Sequence, residues 1–395
     1  MKRYWKILTL CLVTVIVLGT FYIQSSVAAE NIQIEFEKVS GDESLVENVE
    51  ISADYVVGDI HQTLLISDED TKNLSNRSVV QQLTGLYAEA PAEQLVAKYK
   101  SFMRGKNLFS SNFYEDEHVV VYASIERKSL NASSLNSFFD IDVLDKNSEK
   151  STSLKLDLPK TGSYGWVDIV DIQIKDGKLL VIARGSRING GEDLVAYTID
   201  LNGKKITNEE VVFSTPTVEN GWSDFRFLRD YHSNEPEKYL LFKAEAFEHE
   251  SSEGPTAVVD DFIVYDVEKN KIVKIELPED FVGNIENSSV VNSVVYIPVQ
   301  TPNEIEVIQY DIETEKWDKK QTVGVELSGN SEGVPYVKLQ DGKIYIVRSV
   351  NDGHSLSIGD LNTGETLYEG KLKVKKQKAA HENYQFYIFE IKDVG

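Results

Sequence analysis

The sequence predicts an all-β body, a β-propeller of about six four-stranded blades, six or seven in number. Three observations carry this reading. Five stretches share a strand–loop–strand grammar that ends in Asp and an aliphatic residue. A Gly-Trp-x-Asp motif occurs at 165–168 and returns 56 residues later at 221–224. Tyr (19) and Phe (16) are plentiful while Met (2) is nearly absent, a bias toward pleated sheet.

The five apolar strands span His118–Ile125, Gly177–Arg184, Lys238–Ala246, Ser293–Gln300 and Gly342–Val350. Each is followed by a second strand, predicted to end at Asp142-Val143, Asp200-Leu201, Asp266-Val267, Asp311-Ile312 and Asp360-Leu361. Turns rich in Asn, Gly, Glu and Lys come next, the composition of tight hairpins. The Asp residues lie 58, 66, 45 and 49 apart. A unit near 45–50 residues is the size of one propeller blade. The two Gly-Trp-x-Asp segments sit where the next unit's inner strand begins.

The ends are expected to close the ring. Ile32, Ile34 and Phe36 alternate with polar residues, as a half-buried strand does. Leu372–Lys375 and Tyr384–Ile391 read as a last hairpin, and Glu50–Ser67 would raise the count to seven as a separate blade. Pairing of first and last strands would remove exposed edges.

One stretch departs from this pattern. Within an insertion at about 86–106, Pro91–Gly105 carries Leu95, Val96, Tyr99, Phe102 and Met103 at helical spacing. Lys98, Lys100, Arg104 and Lys106 make this amphipathic helix locally basic. It could contact a partner or a membrane surface, or pack on the propeller with a solvated basic face.

The N-terminus reads as an export segment. Lys2, Arg3 and Lys6 precede an uncharged, mostly apolar run from Ile7 to Ile23. Ser26-Val27-Ala28 and Val27-Ala28-Ala29 offer small residues for a signal peptidase. Residues 1–29 are therefore a signal peptide or, if uncleaved, a short membrane anchor, and 30–395 a single domain. Cys11 lies too early in the run, after Leu10, to suit lipid attachment. It is the only cysteine, so the body has neither disulfide nor thiolate chemistry.

Net charge is −23. The first 29 residues hold three basic and no acidic side chains, so the body carries 38 basic against 64 acidic residues, a net of −26. Such a body repels phosphate backbones, which excludes nucleic acid as a partner. It attracts cations and basic partners.

The repeat resembles that of propeller-type proteins. An apolar segment ahead of such a body is similar to uncharacterised exported proteins of Gram-positive bacteria. The resemblance covers most of residues 30–395 and implies a secreted bacterial protein or one held on the outer face of the cytoplasmic membrane. The Trp-Asp signature of WD40 repeats, the kelch glycine pair and the sialidase Asp-box are missing, so no catalytic residue or substrate carries over.

The motif search returns little chemistry. Gly329-Asn330-Ser331-Glu332-Gly333 has the nucleophile-elbow spacing, but Val334-Pro335 and a strand follow where a helix is required. His249-Glu250 has no second histidine at zinc-protease spacing, and the six histidines are scattered. Asp68–Asn73 lacks the glycine and final Glu of a calcium loop. No phosphate-cradling glycine loop occurs. No cofactor, metal site or catalytic residue is assigned. The repeated Asp residues read as turn caps that accept backbone N–H groups.

The candidate ligand-binding residues are Trp166, Asp168, Trp222, Asp224 and Arg226. Inner strands begin at one face of a propeller's channel, where Trp can stack on a sugar or peptide while Asp and Arg orient it. The alternative is that each Trp plugs a seam between blades. The sequence thus points to an extracytoplasmic binding module for a protein, peptide or carbohydrate. A hydrolase or lyase on sugars or peptides, or an accessory subunit of a membrane complex, are the competing readings.

Overall fold

The computed structural model describes residues 32–57, 60–74, 90–127, 137–228, 237–250, 254–278, 285–301, 305–318, 321–323, 335–350, 353–375 and 384–393, with Val13, Thr14 and Phe281. The Ile7–Ile23 segment lies almost wholly outside these. The Gly329–Gly333 motif lies outside them as well. No helix among the described residues is long and apolar enough to cross a membrane.

These residues form six antiparallel sheets. Sheet I orders Gln385–Asp393, Val49–Val57, Ile60–Ile66 and Thr71–Asn73. Sheet II runs Phe113–Glu115, Val119–Arg127, Ser137–Asp145 and Lys150–Asp157. Sheet III runs Tyr164–Lys175, Lys178–Arg187, Glu192–Asp200 and Lys205–Ser214. Sheet IV runs Gly221–Phe227, Tyr239–Glu250, Gly254–Asp266 and Lys271–Ile275. Sheet V runs Ser289–Val291, Val294–Gln300, Ile305–Asp311 and Lys316–Trp317, with Gln321–Val323 also on its third strand. Sheet VI runs Tyr336–Gln340, Lys343–Val350, Gly353–Asp360, Thr366–Val374 and finally Ile34–Gly41.

Five of the six pairs of consecutive sheets pack face to face through shared apolar clusters among the described residues. Phe139 and Ile141 of sheet II meet Tyr197 and Val181 of sheet III. Ile182 and Leu194 of sheet III meet Phe225 and Phe242 of sheet IV. Equivalent clusters join IV to V, V to VI and VI to I. Each fully buried Phe or Leu contributes about 2–3 kcal/mol of transfer free energy. This is the layout of a six-bladed propeller.

Closure differs from the expected terminal hairpin. Thr366–Val374 pairs with Ile34–Gly41, whereas Gln385–Asp393 pairs with Val49–Val57. The first strand thereby extends the last sheet, and the last strand becomes the inner strand of the first. Glu50–Ser67 belongs to this composite sheet.

The repeated Asp residues cap turns. Asp200, Asp266 and Asp311 each end a strand and accept the backbone N–H three residues on, at 2.7–2.8 Å. Asp360 accepts from both Asn362 and Thr363. In sheet II this role falls to Asp145, bound to the Ser148 N–H, and not to Asp142. Asp142 sits inside its strand and binds Lys106. Four residues after each cap the backbone turns to positive φ, at Glu149, Lys204, Asn270, Glu315 and Gly364. Shorter two-residue turns, Asp176-Gly177 and Asp341-Gly342, join the first and second strands of sheets III and VI with φ positive throughout.

The basic stretch folds as two short helices, Ala90–Lys98 and Lys100–Met103, broken at Tyr99 (φ −126°, ψ 50°). Leu95, Phe102 and Met103 are buried against Val120, Tyr122 and Leu144. That is the face of sheet II turned away from sheet III. Lys98 pairs with Glu115, and Lys106 lies over the Phe102 and Tyr122 rings beside Asp142. Val96 points outward, so the apolar stripe is narrower than its sequence spacing implied.

Candidate functional site

The inner strand of sheet III sends alternate side chains to opposite faces. Val167 and Ile169 join the core shared with sheet II. Trp166 and Asp168 face sheet IV, and Asp168 is exposed. Arg184 stands directly across the ladder from Asp168. Its guanidinium lies over the Trp166 ring, 4.8 Å from the centroid. Nη1 donates to the Phe225 carbonyl at 2.7 Å and stands 3.8 Å from the Asp224 carboxylate. Arg184 therefore links the two Gly-Trp-x-Asp segments across the seam.

In sheet IV, Phe225 is buried toward sheet III while Arg226 reaches Glu286 on the sheet V side, and Asp224 stands between Arg184 and Arg226. Arg226 donates through Nε to Asp224 and through Nη2 to Glu245, both at 2.8 Å, and through Nη1 to Glu286. Its hydrogen bond to Asp224 leads the causes that raise the guanidinium's proton affinity further. Lys243 supports Glu245 from the other side at 2.6 Å. The guanidinium is thus fixed by three carboxylates, a charge-assisted arrangement with one geometry.

A cavity of about 420 Å³ opens against these groups. Asp168, Ile169 and Val170 supply one wall, and Phe225, Arg226, Phe227 and Leu228 another. Arg184, Glu286 and Ser111 complete it. The lining positions come from the inner strands of sheets III and IV, from Arg184 on the second strand of sheet III, and from segments leading into the inner strands of V and II. Residues of four blades meet at this cavity, as they do where inner strands gather around a propeller's axis.

Of the five expected residues, Asp168 and Arg226 line this cavity. Asp224 holds Arg226 and meets Arg184 without lining it. Trp166 seats Arg184. Trp222 lies further up its strand, exposed and stacked on Phe247 with centroids 4.4 Å apart. Arg184, Glu286 and Ser111 were missed in the sequence. Arg184 ends an apolar run and reads there as a strand terminus, and nothing local marks the other two.

Glu192 lies behind the wall, buried in the same seam. Burial, with the Asp224 charge adding, pushes its carboxyl up to about 7 against the pull of Arg184 and the Phe225 N–H. One of its oxygens has no hydrogen-bond partner among the described residues. No group of three His, Cys, Asp or Glu side chains among the described residues is arranged to hold a metal ion.

No protein-family profile matches the chain. No curated protein matches it either. Among solved structures, the β-propeller domain of the trilobed protease from Pyrococcus furiosus is 13% identical, covers 84% of this chain and 83% of its own, and has a TM-score of 0.30. Prolyl oligopeptidase B from Galerina marginata is 12% identical over 80% of this chain and 39% of its own, with a TM-score of 0.38. A polysaccharide lyase is 13% identical over 63% of this chain, at a TM-score of 0.37. The chain matches 57% of that lyase's length. With every one of these scores under 0.5, the architecture rests on the sheets and seams themselves.

Proposed function

We propose that the chain is an extracytoplasmic, non-enzymatic binding module that takes a small polar ligand in the axial cavity. The single observation that carries this is Asp168. Its exposed carboxylate reaches the cavity wall and has no hydrogen-bond or ion-pair partner among the described residues. A rigid ring supports it, and the neighbouring guanidinium of Arg226 is fixed by its three carboxylates. Preorganised polar groups on an apolar wall suit recognition.

The same geometry weighs against a hydrolase or lyase. General acid catalysis needs a protonated group within reach of the substrate. Among the described residues, Glu192 is the carboxyl with strongly raised proton affinity, and it is buried behind the wall. The extracytoplasmic part of the proposal rests on the basic and apolar N-terminal segment and the small residues before Glu30.

Two measurements test this. Binding is followed by thermal shift and by NMR of indole and backbone resonances against a panel of neutral, cationic and anionic small molecules, with Asp168→Asn as control. Ligands that raise the Tm of the parent and not of Asp168→Asn support the module. Turnover of a polysaccharide or peptide panel that is lost in Asp168→Asn and Asp224→Asn would replace it with the enzymatic reading. Mass spectrometry of the mature N-terminus distinguishes a cleaved signal, with Glu30 first, from an anchor.

A further inference from the structure

We infer that the cavity's ligand carries a primary ammonium or guanidinium group on an aliphatic stem, with Asp168 as its counter-ion; this rests on the binding-module reading above. The argument begins with a cross-strand mismatch. Asp168 and Arg184 are ladder partners, and opposite charges so placed normally attract. Here Arg184 is drawn away to the Trp166 ring, the Phe225 carbonyl and Asp224. Asp168 is left without a cation among the described residues.

The other fixed cation at the wall cannot fill that role. Arg226 is already shared among Asp224, Glu245 and Glu286. Among the described residues around the cavity, the carboxylates Asp168, Asp224, Glu245 and Glu286 outnumber the cations Arg184, Arg226 and Lys243. An anion would meet this excess of negative charge, whereas a cation completes it. Ile169, Val170, Phe225, Phe227 and Leu228 offer apolar surface to a methylene stem. The body's net charge of −26 draws cations toward the channel.

The probes are 1,5-diaminopentane, 1,5-pentanediol, glutarate and maltotriose, titrated into the full chain at low salt by calorimetry and NMR. The diamine is expected to bind with one-to-one stoichiometry, to perturb Val170 and Phe227 resonances, and to weaken with added salt. Asp168→Asn should lower its affinity tenfold or more while leaving the Tm unchanged, because the side chain has no partner to lose among the described residues. Asp168→Glu should restore part of the binding. Diamine binding that ignores Asp168→Asn would mean attraction to the acidic surface and would overturn the inference. So would pentanediol, glutarate or maltotriose perturbing the cavity in preference to the diamine, although the binding-module reading would stand. Cavity resonances that respond to none of the four sink both.

Discussion

Arg184 of sheet III donates to the carbonyl oxygen of Phe225 in sheet IV at 2.7 Å while its guanidinium covers Trp166. One side chain thus ties two blades at their inner strands, next to the cavity. It also supplies positive charge to Asp224 and Glu192, which share this seam. Arg184→Met would keep the stem and remove the charge. The Phe225 carbonyl would lose its donor, and two carboxyls would lose a compensating cation. A loss of about 2–4 kcal/mol in urea unfolding is expected. Arg184→Lys should recover only part of it, because an ammonium cannot cover the indole and reach the carbonyl as a planar fork does.

The buried carboxyl of Glu192 gives a pH-dependent test. Its proton affinity is higher in the folded chain, about 7, than the ordinary 4.5. The native state therefore binds more protons between those values, and stability falls as pH rises through them. The penalty is complete above about pH 7 and relieved below 4.5. Glu192→Gln mimics the protonated form and keeps an acceptor for the Phe225 N–H. The variant should gain roughly 2–3 kcal/mol over the parent at pH 8 relative to pH 5. Equal differences at both pH values would mean the carboxyl is ionised throughout.

The hairpin turns give a third test. Glu149, Lys204 and Glu315 hold φ between 51° and 55°, a region in which a Cβ is strained. Glycine adopts it freely. Glu149→Gly, Lys204→Gly and Glu315→Gly should each stabilise by about 1 kcal/mol, less the entropy glycine adds to the unfolded chain. Asp311→Ala removes the cap on the Thr314 N–H and should cost about 1 kcal/mol. Thermal unfolding of the single variants and the triple variant checks sign and additivity.

Much of the repeat was readable because its signals are local. Recurrence of the Gly-Trp-x-Asp segment at 165–168 and 221–224 placed both inner strands, and turn chemistry identified the caps. The shift from Asp142 to Asp145 shows the limit. Phe139-Asp140-Ile141-Asp142-Val143-Leu144-Asp145 holds three candidate caps, and the Ser148 N–H, not the pattern, selects one. Closure was misread for a similar reason. Gln385–Asp393 alternates well enough to pair with its sequence neighbour, but its partner Val49–Val57 lies over 300 residues away. The site was half legible. Asp168 and Arg226 carry their own signal, whereas Arg184 and Glu286 matter only because two seams bring them to the axis.

The seam between sheets VI and I offers the last prediction. His354 is buried there against Phe386 of the closing strand, ring centroids 5.1 Å apart, and near Tyr384 at 6.0 Å. Burial lowers its imidazole from 6.5 to about 4. The unfolded chain therefore takes up a proton before the native chain does. Stability from this residue is intact above about pH 6.5 and is lost as pH falls toward 4. His354→Leu keeps the apolar contact without a titrating group. Between pH 7.5 and 4.5 the parent should lose about 2–3 kcal/mol more than the variant in urea unfolding. The loss should appear first as faster amide exchange in Gln385–Asp393, since that strand closes the ring and carries the Phe386 ring that His354 touches. Identical acid limbs for the two proteins would mean that the imidazole does not resist protonation in the folded state and that His354 does not tie the closing strand to pH.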